Sequence, residues 1–462
     1  MTLIKSISGI RGTIGGAVGE NLTPVDAVKF ASAYGSWLKS ETSNDHPTVV
    51  VGRDARISGA MIQQLVMNSL VGLGIHVVDL GLSTTPTVEI AVTLEKADGG
   101  IILTASHNPK QWNALKLLNN KGEFLNAENG KKILEIAEKD AYIFAEVDDL
   151  GSITTNDTYI DKHIEEVLNL SLVDAELVKK AGFKVVVDAV NSTGGIAIPK
   201  LLRKMGVETV ELYCDPTGHF PHNPEPLKEH LTDLSALVVK EKADLGLTVD
   251  PDVDRLAFMS ENGEMFGEEY TLVACADFVL GKTPGNTVSN LSSSRALREV
   301  TRKHNGVYEA SAVGEVNVVE KMKANNAIIG GEGNGGIIYP ESHYGRDSLV
   351  GVALFLTHLA DKKCSVSELR DSYPSYFMSK NKIQLTPDLD VDGILKGFHD
   401  THMSEEVSTI DGVKVDFSDS WVHLRKSNTE PIIRIYTEAL SQQKADQLAE
   451  DTIETLKQIA GI

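Results

Sequence analysis

The chain has 462 residues, 42% hydrophobic and 24% charged, too long for one hydrophobic core and too apolar for disorder, so three or four globular domains are expected. Its formal net charge of -21 argues against nucleic acid or anionic lipid as partners, both of which need a basic field, so an anionic substrate must be held by a local basic cluster. The segment from Met1 to Gly12 lacks a long apolar stretch and no run of about 18 apolar residues occurs, so neither export nor a membrane span is expected. Cys214, Cys275 and Cys364 lie far apart without a C-x-x-C, which points to a reducing compartment, the cytoplasm.

In chain order, Ser8-Gly9-Ile10-Arg11-Gly12 sets an arginine between glycines that would let it approach a ligand. Thr23, Pro24 and Asp26 spell a helix start with a capping box, and the helix should run to about Lys39. The apolar run Thr48 to Val51 reads as a buried strand delivering Gly52-Arg53-Asp54-Ala55-Arg56 at its C-terminal end, where binding residues of open α/β sheets sit. A helix (Ala60 to Leu73), a strand (His76 to Leu80), a helix (Thr87 to Lys96) and a strand (Gly100 to Leu103) continue the alternation, predicting a largely parallel sheet.

The unit recurs. Strand Phe183 to Val187, helix Gly194 to Met205, strand Glu208 to Tyr213, helix Leu227 to Ala243 and strand Leu245 to Val249 lead into Asp250-Pro251-Asp252-Val253-Asp254-Arg255. A third set, Thr287 to Leu291, Arg295 to His304, Val316 to Asn325 and Ala327 to Ile329, empties into the glycine-rich loop Gly330 to Gly336. Beyond Lys363 come strand-like pieces, the loop Arg425-Lys426-Ser427-Asn428-Thr429-Glu430-Pro431, and an amphipathic helix from Gln442 to Ile459. The expected fold class is therefore α/β, with three similar units and a smaller C-terminal α+β domain.

Four constellations carry chemistry. Thr104-Ala105-Ser106-His107-Asn108-Pro109 presents a hydroxyl at a strand exit, with a loop that merely satisfies its own backbone as the competing reading. Asp250, Asp252 and Asp254 offer alternating hard oxygens to a divalent cation. They match the first three ligand positions of an EF-hand, with Glu261 at its last, but Arg255 replaces the required glycine and a strand precedes the loop. Without a cation the three would raise one another's pKa values, and Mg2+, which takes few protein ligands and favours a phosphate oxygen, suits them best. Arg425, Lys426, Ser427, Asn428 and Thr429, followed by Arg434, suit a phosphate dianion, with a solvated basic turn as the alternative. The glycine-rich loop lacks the P-loop form and frees space around Glu332 and Asn334, which could bond sugar hydroxyls. Together these read as phosphoryl transfer through a serine on sugar phosphates, without nucleotide.

Over essentially its whole length the sequence resembles the α-D-phosphohexomutase superfamily. Thr104 to Pro109 matches the family's T-A-S-H-N-P, Asp250 to Arg255 its D-x-D-x-D-R, and Arg425 to Pro431 its R-x-S-N-T-E-P. Gly331 to Gly335 matches G-E-x-S-G with asparagine in place of serine, and Gly336 stands where a histidine is frequent, a version similar to archaeal-type phosphoglucosamine mutases. The N-terminal G-I-R-G is also present, preceded by Lys5-Ser6-Ile7 instead of F-G-T.

The resemblance implies three similar α/β domains with mixed sheets around a central cleft plus the C-terminal domain, divided as residues 1–155, 156–258, 259–370 and 371–462. It implies a phosphoserine at Ser106, Mg2+ held with Asp250, Asp252 and Asp254, and a hexose 1,6-bisphosphate intermediate that also acts as activator. Lys116, His107 and Arg11 are its candidates for acid/base work. Arg255, Glu332, Asn334, Arg425, Ser427, Asn428, Thr429 and Arg434 are its candidates for substrate binding. The implied reaction interconverts hexose 6- and 1-phosphates, with glucosamine phosphate first and mannose or glucose phosphates as alternatives, in a monomer or homodimer. A serine-dependent sugar phosphatase and a non-catalytic sugar-phosphate sensor are the rivals.

Overall fold

Residues 2–6, 9–384, 389–426 and 432–461 are described by the computed structural model. The first helix, Pro24–Glu41, begins where the sequence places it: Thr23 accepts from the Asp26 amide and Asp26 Oδ2 accepts from the Thr23 amide at 3.1 Å, the reciprocal capping box. By internal packing the chain forms two compact units, Met1–Phe278 with Asn334–Arg370, and Val279–Gly333 with Asp371–Ile462.

The first unit holds a seven-stranded sheet in the order Ile4–Ser6, Gly9–Thr13, Trp112–Leu118, Gly99–Leu103, Thr48–Arg53, His76–Leu82, Ile153–Thr155. Val49 and Val51 point into a core with Phe30, Tyr34, Ile62 and Val66 of two helices, whereas Val50 points to the other face beside Val88 and Val92. Burial on both faces is why this strand reads as an uninterrupted apolar run. The sheet is mixed, not largely parallel, because Trp112–Leu118 returns antiparallel to Gly99–Leu103 after the short loop carrying Ser106 and pairs antiparallel with Gly9–Thr13. A second sheet orders Leu256–Ser260, Leu245–Val249, Lys184–Asp188 and Glu208–Leu212, again with one antiparallel edge. The expected helix from Leu227 to Ala243 is shorter: a 3-10 turn at Lys228–His230 precedes Thr232–Glu241, and Leu231 breaks the helical path between them to reach the core.

Helix Ser348–Lys362 also belongs to this unit and is buried on nearly every side, with the Phe355 ring stacked 3.8 Å from that of Phe258. Its Asp347 cap accepts from the Leu349 amide at 2.8 Å.

In the second unit, Asn286–Asn290 lies between Tyr308–Ser311 and Ala327–Glu332, parallel to both. A five-stranded antiparallel sheet follows in the order Phe377–Gln384, Ile432–Ala439, Trp421–Lys426, Val413–Asp416, Glu406–Ser408. Helices Val391–Thr401 and Gln442–Ala460 pack on it through Leu395, Phe398 and Leu456. Buried Arg295 ties the two sheets of this unit together, donating to the Ser420 carbonyl at 2.8 Å and to Asp416 at 3.2 Å. Among the described residues no helix is long and apolar enough to cross a membrane.

Candidate phosphoryl-transfer site

Ser106 sits at φ 49°, in the left-handed region that a serine rarely adopts. A buried network holds it there. The Ser106 amide donates to Thr104 Oγ1 at 2.9 Å, and Thr104 Oγ1 donates to Asp54 Oδ2 at 2.7 Å. Arg56, 1% exposed, pairs with Asp54 at 3.0 Å and donates to the carbonyls of Asn108 at 2.6 Å, Pro109 at 2.8 Å and Trp112 at 3.0 Å, as well as to that of Ser106. The Gly52 to Arg56 loop was expected to present binding residues; its Arg56 fixes the backbone that presents the serine. The result is a hydroxyl aimed at the acidic loop, with Ser106 Oγ donating to Asp250 Oδ2 at 2.6 Å and His107 Nδ1 lying 3.4 Å from Oγ.

The acidic loop is also held in an uncommon backbone, since Val253 at φ 65° is β-branched and left-handed. Asp250 Oδ1 closes the turn by accepting from the amides of Asp254 and Arg255, both at 3.1 Å. Asp250, Asp252 and Asp254 are fully buried, with one ligand atom of each within 4.8 Å of the others. Asp252 Oδ2 accepts from Lys116 Nζ at 2.7 Å and Thr85 Oγ1 at 2.6 Å, and Asp254 Oδ2 from Lys116 at 3.1 Å and Arg346 at 2.7 Å. Oδ1 of Asp252 and Oδ1 of Asp254 are buried with no hydrogen-bond partner among the described residues. Hard, anionic, buried and unsatisfied oxygens fit a divalent cation. Glu261, the would-be last ligand of an EF-hand, bonds Ser367 instead.

The electrostatics follow from burial and neighbours. Burial, with Asp252 and Asp254 alongside, pushes Asp250 well above the usual carboxylate range. Burial would raise Asp252 as well, but Lys116 outweighs it and holds that carboxyl low. Burial would lower Lys116, yet Asp252 and Asp254 keep its ammonium above the ordinary lysine range. His107 is pushed down to about 2 by burial and then by the positive field of Arg255, with smaller contributions from Arg346 and Arg11, so it is neutral. Arg255 itself lies 3.6 Å from Glu225 and 4.0 Å from Asp250. Arg11 is exposed on strand Gly9–Thr13.

The remaining expected residues divide between the units. Asn334, in the first, accepts from the Gly336 amide at 3.3 Å. Glu332, in the second, is buried and accepts from Asn290 at 2.9 Å and the Gly314 amide at 3.2 Å. Arg425 pairs with Asp411 at 2.8 Å and stands opposite Arg434, which stands opposite Lys382, so three cations line one face of neighbouring strands. Ser427, Asn428 and Thr429 lie outside the described residues. Sequence reasoning had no pointer to Thr85, Arg346 or Lys382. Their partners are remote in the chain, and only Arg346 stood near a motif, ten positions beyond Gly336.

Four family models match in chain order: the alpha/beta/alpha domains I, II and III of phosphoglucomutase/phosphomannomutase over residues 3–143, 157–263 and 267–376, and its C-terminal domain over 380–455. The chain is 36% identical over 451 residues to a phosphoglucomutase/phosphomannomutase of Thermococcus kodakarensis, covering 97% of this chain and 98% of that protein. It is 33% identical over 455 residues to a probable phosphoglucosamine mutase of Methanopyrus kandleri, covering 97% of each. Among solved structures, a phosphoglucomutase/phosphomannomutase family protein of Burkholderia thailandensis superposes with a TM-score of 0.85 at 26% identity, over 99% of this chain and 97% of that one.

Proposed function

This chain belongs to the phosphoglucomutase/phosphomannomutase family of α-D-phosphohexomutases, and from that premise we propose that it interconverts hexose 6-phosphate and hexose 1-phosphate through a phosphoserine at Ser106. The observation that carries this reading is the strained Ser106, whose Oγ lies 2.6 Å from the carboxylate loop. In the first half-reaction the P–Oγ bond of phosphorylated Ser106 breaks as a P–O bond forms to the substrate's free hydroxyl, giving the hexose 1,6-bisphosphate. In the second, Ser106 Oγ attacks the other phosphate and the product leaves with one. The attacking hydroxyl gives up its proton and the leaving oxygen regains one. Of the candidates for this acid/base work, His107, Lys116 and Arg11, the unprotonated His107, 3.4 Å from Oγ, has a lone pair to accept with, whereas Lys116, held as an ammonium, and Arg11 can only donate or stabilise negative charge.

Asp250, Asp252, Asp254 and the Ser106 oxygen would hold a divalent cation, Mg2+ by donor type, whose chemistry is to neutralise charge on the transferring phosphoryl group. Lys116 keeps Asp252 and Asp254 from repelling each other when the cation is away, and Arg255 supplies positive charge beside Asp250. Arg425 and Arg434 with Ser427, Asn428 and Thr429 bind the phosphate that is not transferred, and Glu332 and Asn334 contact the sugar. The four-part division at residues 155, 258 and 370, and a cytoplasmic site of action, belong to the same reading.

The substrate proposed first is glucosamine 6-phosphate, supported by the Gly-Asn form of the loop at Gly333-Asn334 and by the relative named phosphoglucosamine mutase. A mannose or glucose phosphate is the second reading, favoured by the name of the relative at 36% identity. The test combines intact mass with rates on glucosamine, N-acetylglucosamine, mannose and glucose phosphates. Wild type should carry one phosphate, and Ser106→Ala should carry none and lose nearly all turnover while keeping its fold. Undiminished turnover in Ser106→Ala would refute the phosphoserine route, and release of inorganic phosphate at the rate of substrate loss would favour a phosphatase.

A further inference from the structure

Gly336 and Arg346 meet behind the carboxylate loop, in the first unit. A Cβ placed on Gly336 would lie 2.3 Å from Arg346 Cδ, far inside van der Waals contact, so position 336 has no room for a side chain while the arginine runs past it. The arginine ends on Asp254 Oδ2 at 2.7 Å and is only 8% exposed. Its path is fixed from behind. The next residue, Asp347, caps helix Ser348–Lys362 through Oδ1, and its Oδ2 is held by His163 Nε2 at 2.8 Å and His343 Nε2 at 3.1 Å. The Ser348 amide then donates to the Val253 carbonyl at 3.2 Å, joining this segment to the carboxylate loop.

Donors around Asp252 and Asp254 are distributed unevenly. In both, Oδ2 accepts two donors, whereas the buried Oδ1 has none among the described residues. We propose that Arg346 is a positioning residue that, with Lys116, occupies Oδ2 of Asp254 so that this carboxylate offers a single oxygen to a divalent cation, with Gly336 keeping the arginine's path open. The inference rests on the reading that the three aspartates hold such a cation. Its consequence is ion selectivity. A carboxylate restricted to one oxygen suits Mg2+, which is small and octahedral, whereas Ca2+ takes about six to eight oxygens and accepts both oxygens of a carboxylate. Removing the arginine, which leaves Oδ2 only the longer contact to Lys116 at 3.1 Å, should therefore favour Ca2+ over Mg2+.

The test titrates the full chain with Mg2+ and, separately, Ca2+ by calorimetry, for wild type, Arg346→Ala, Arg346→Lys, Gly336→Ala and the double variant Gly336→Ala/Arg346→Ala, each checked for fold by circular dichroism. Arg346→Ala should shift the ratio of Mg2+ to Ca2+ affinity toward Ca2+ by about tenfold. Arg346→Lys should restore part of the wild-type ratio, because an ammonium can still occupy Oδ2. Gly336→Ala should shift the ratio in the same direction, and the double variant should shift it no further than Arg346→Ala alone, since the new methyl group then meets no arginine. If Arg346→Ala fails to fold, Arg346→Lys and Gly336→Ala carry the same comparison. Affinities for both ions that rise or fall together, with the ratio unchanged, would overturn the proposal, because loss of charge or of general order affects both ions alike. A wild type whose Mg2+ binding is indifferent to Asp252→Asn would overturn the cation reading itself.

Discussion

Replacing Arg56 with alanine probes how Ser106 is held in its strained backbone. The guanidinium is buried, neutralises the buried Asp54 and donates to four carbonyls of the loop between Ser106 and Trp112. Breaking a buried ion pair from one side costs about 3 to 5 kcal/mol. Burial already pushes Asp54 upward, so in the variant it can relieve part of that penalty by taking a proton, which favours the lower end, about 3 kcal/mol. Because the affected contacts lie in one loop, the loss should appear as local opening and not as global unfolding. An opening easier by about 3 kcal/mol raises amide exchange by roughly a hundredfold. The amides of Ser106, Asn108 and Trp112, which bond to Thr104 Oγ1 and to the carbonyls of Ala105 and Pro109, should lose protection by that amount in hydrogen-exchange mass spectrometry. Phosphorylation of Ser106 should slow by about 10- to 100-fold, since a nucleophile misplaced by an ångström forfeits that much. Arg56→Lys should be intermediate, keeping the charge for Asp54 but losing the planar fork. Unchanged exchange at these amides with normal phosphorylation would refute the argument that Arg56 maintains the serine's conformation.

Asp252→Asn should weaken Mg2+ binding by about 10- to 100-fold, since a charged hard ligand becomes neutral, with activity recovering in part at high Mg2+; wild-type behaviour at every Mg2+ concentration would contradict the ligand assignment. Burial alone would lower His343, but Asp347 and Glu89 outweigh it and raise it from 6.5 to about 10. A group raised on folding lends stability that is complete below about pH 6.5 and lost as pH climbs toward 10, so His343→Asn should flatten the wild-type decline of melting temperature over that range; equal slopes would show that the histidine is not charged in the folded protein. Arg425→Ala should lower kcat/KM by about ten- to hundredfold, for a charge-assisted contact of about 1.5 to 3 kcal/mol, and should release bisphosphate into solution. Its partly exposed pair with Asp411 is expected to contribute little to stability, so a variant with normal kinetics and a lowered melting temperature would assign Arg425 a structural role.

How much was legible in the sequence depended on the range of the interactions involved. Capping at Thr23 and Asp26 and the two-sided burial of Thr48 to Val51 are written within a few residues, because a cap needs only the next turn and a strand buried on both faces needs only an apolar run. The stretches holding Ser106, the three aspartates and Arg425 stood out equally in the sequence, since a hydroxyl at a strand exit, alternating hard oxygens or clustered cations are unusual at any position in a chain, although Arg425 itself lies on strand Trp421–Lys426. Helix Ser348–Lys362 escaped notice for the opposite reason: buried on nearly all sides, it has no polar face to mark a helical period. The antiparallel strand Trp112–Leu118, which brings Lys116 to the aspartates, is likewise decided by its pairing with Gly99–Leu103 and Gly9–Thr13.

The sequence by itself therefore singled out the groups suited to carry chemistry, and tertiary structure decided how those among the described residues are held and charged. Arg56, Thr85 and Arg346 lie 50, 167 and 92 positions from Ser106, Asp252 and Asp254, the groups they support. No local rule links such pairs. A buried cation is stable only where the fold surrounds it with carboxylates and carbonyls, and a carboxylate stripped of water takes its protonation and orientation from those same neighbours. Both depend on which strands and helices meet, which is settled by the packing of the whole unit.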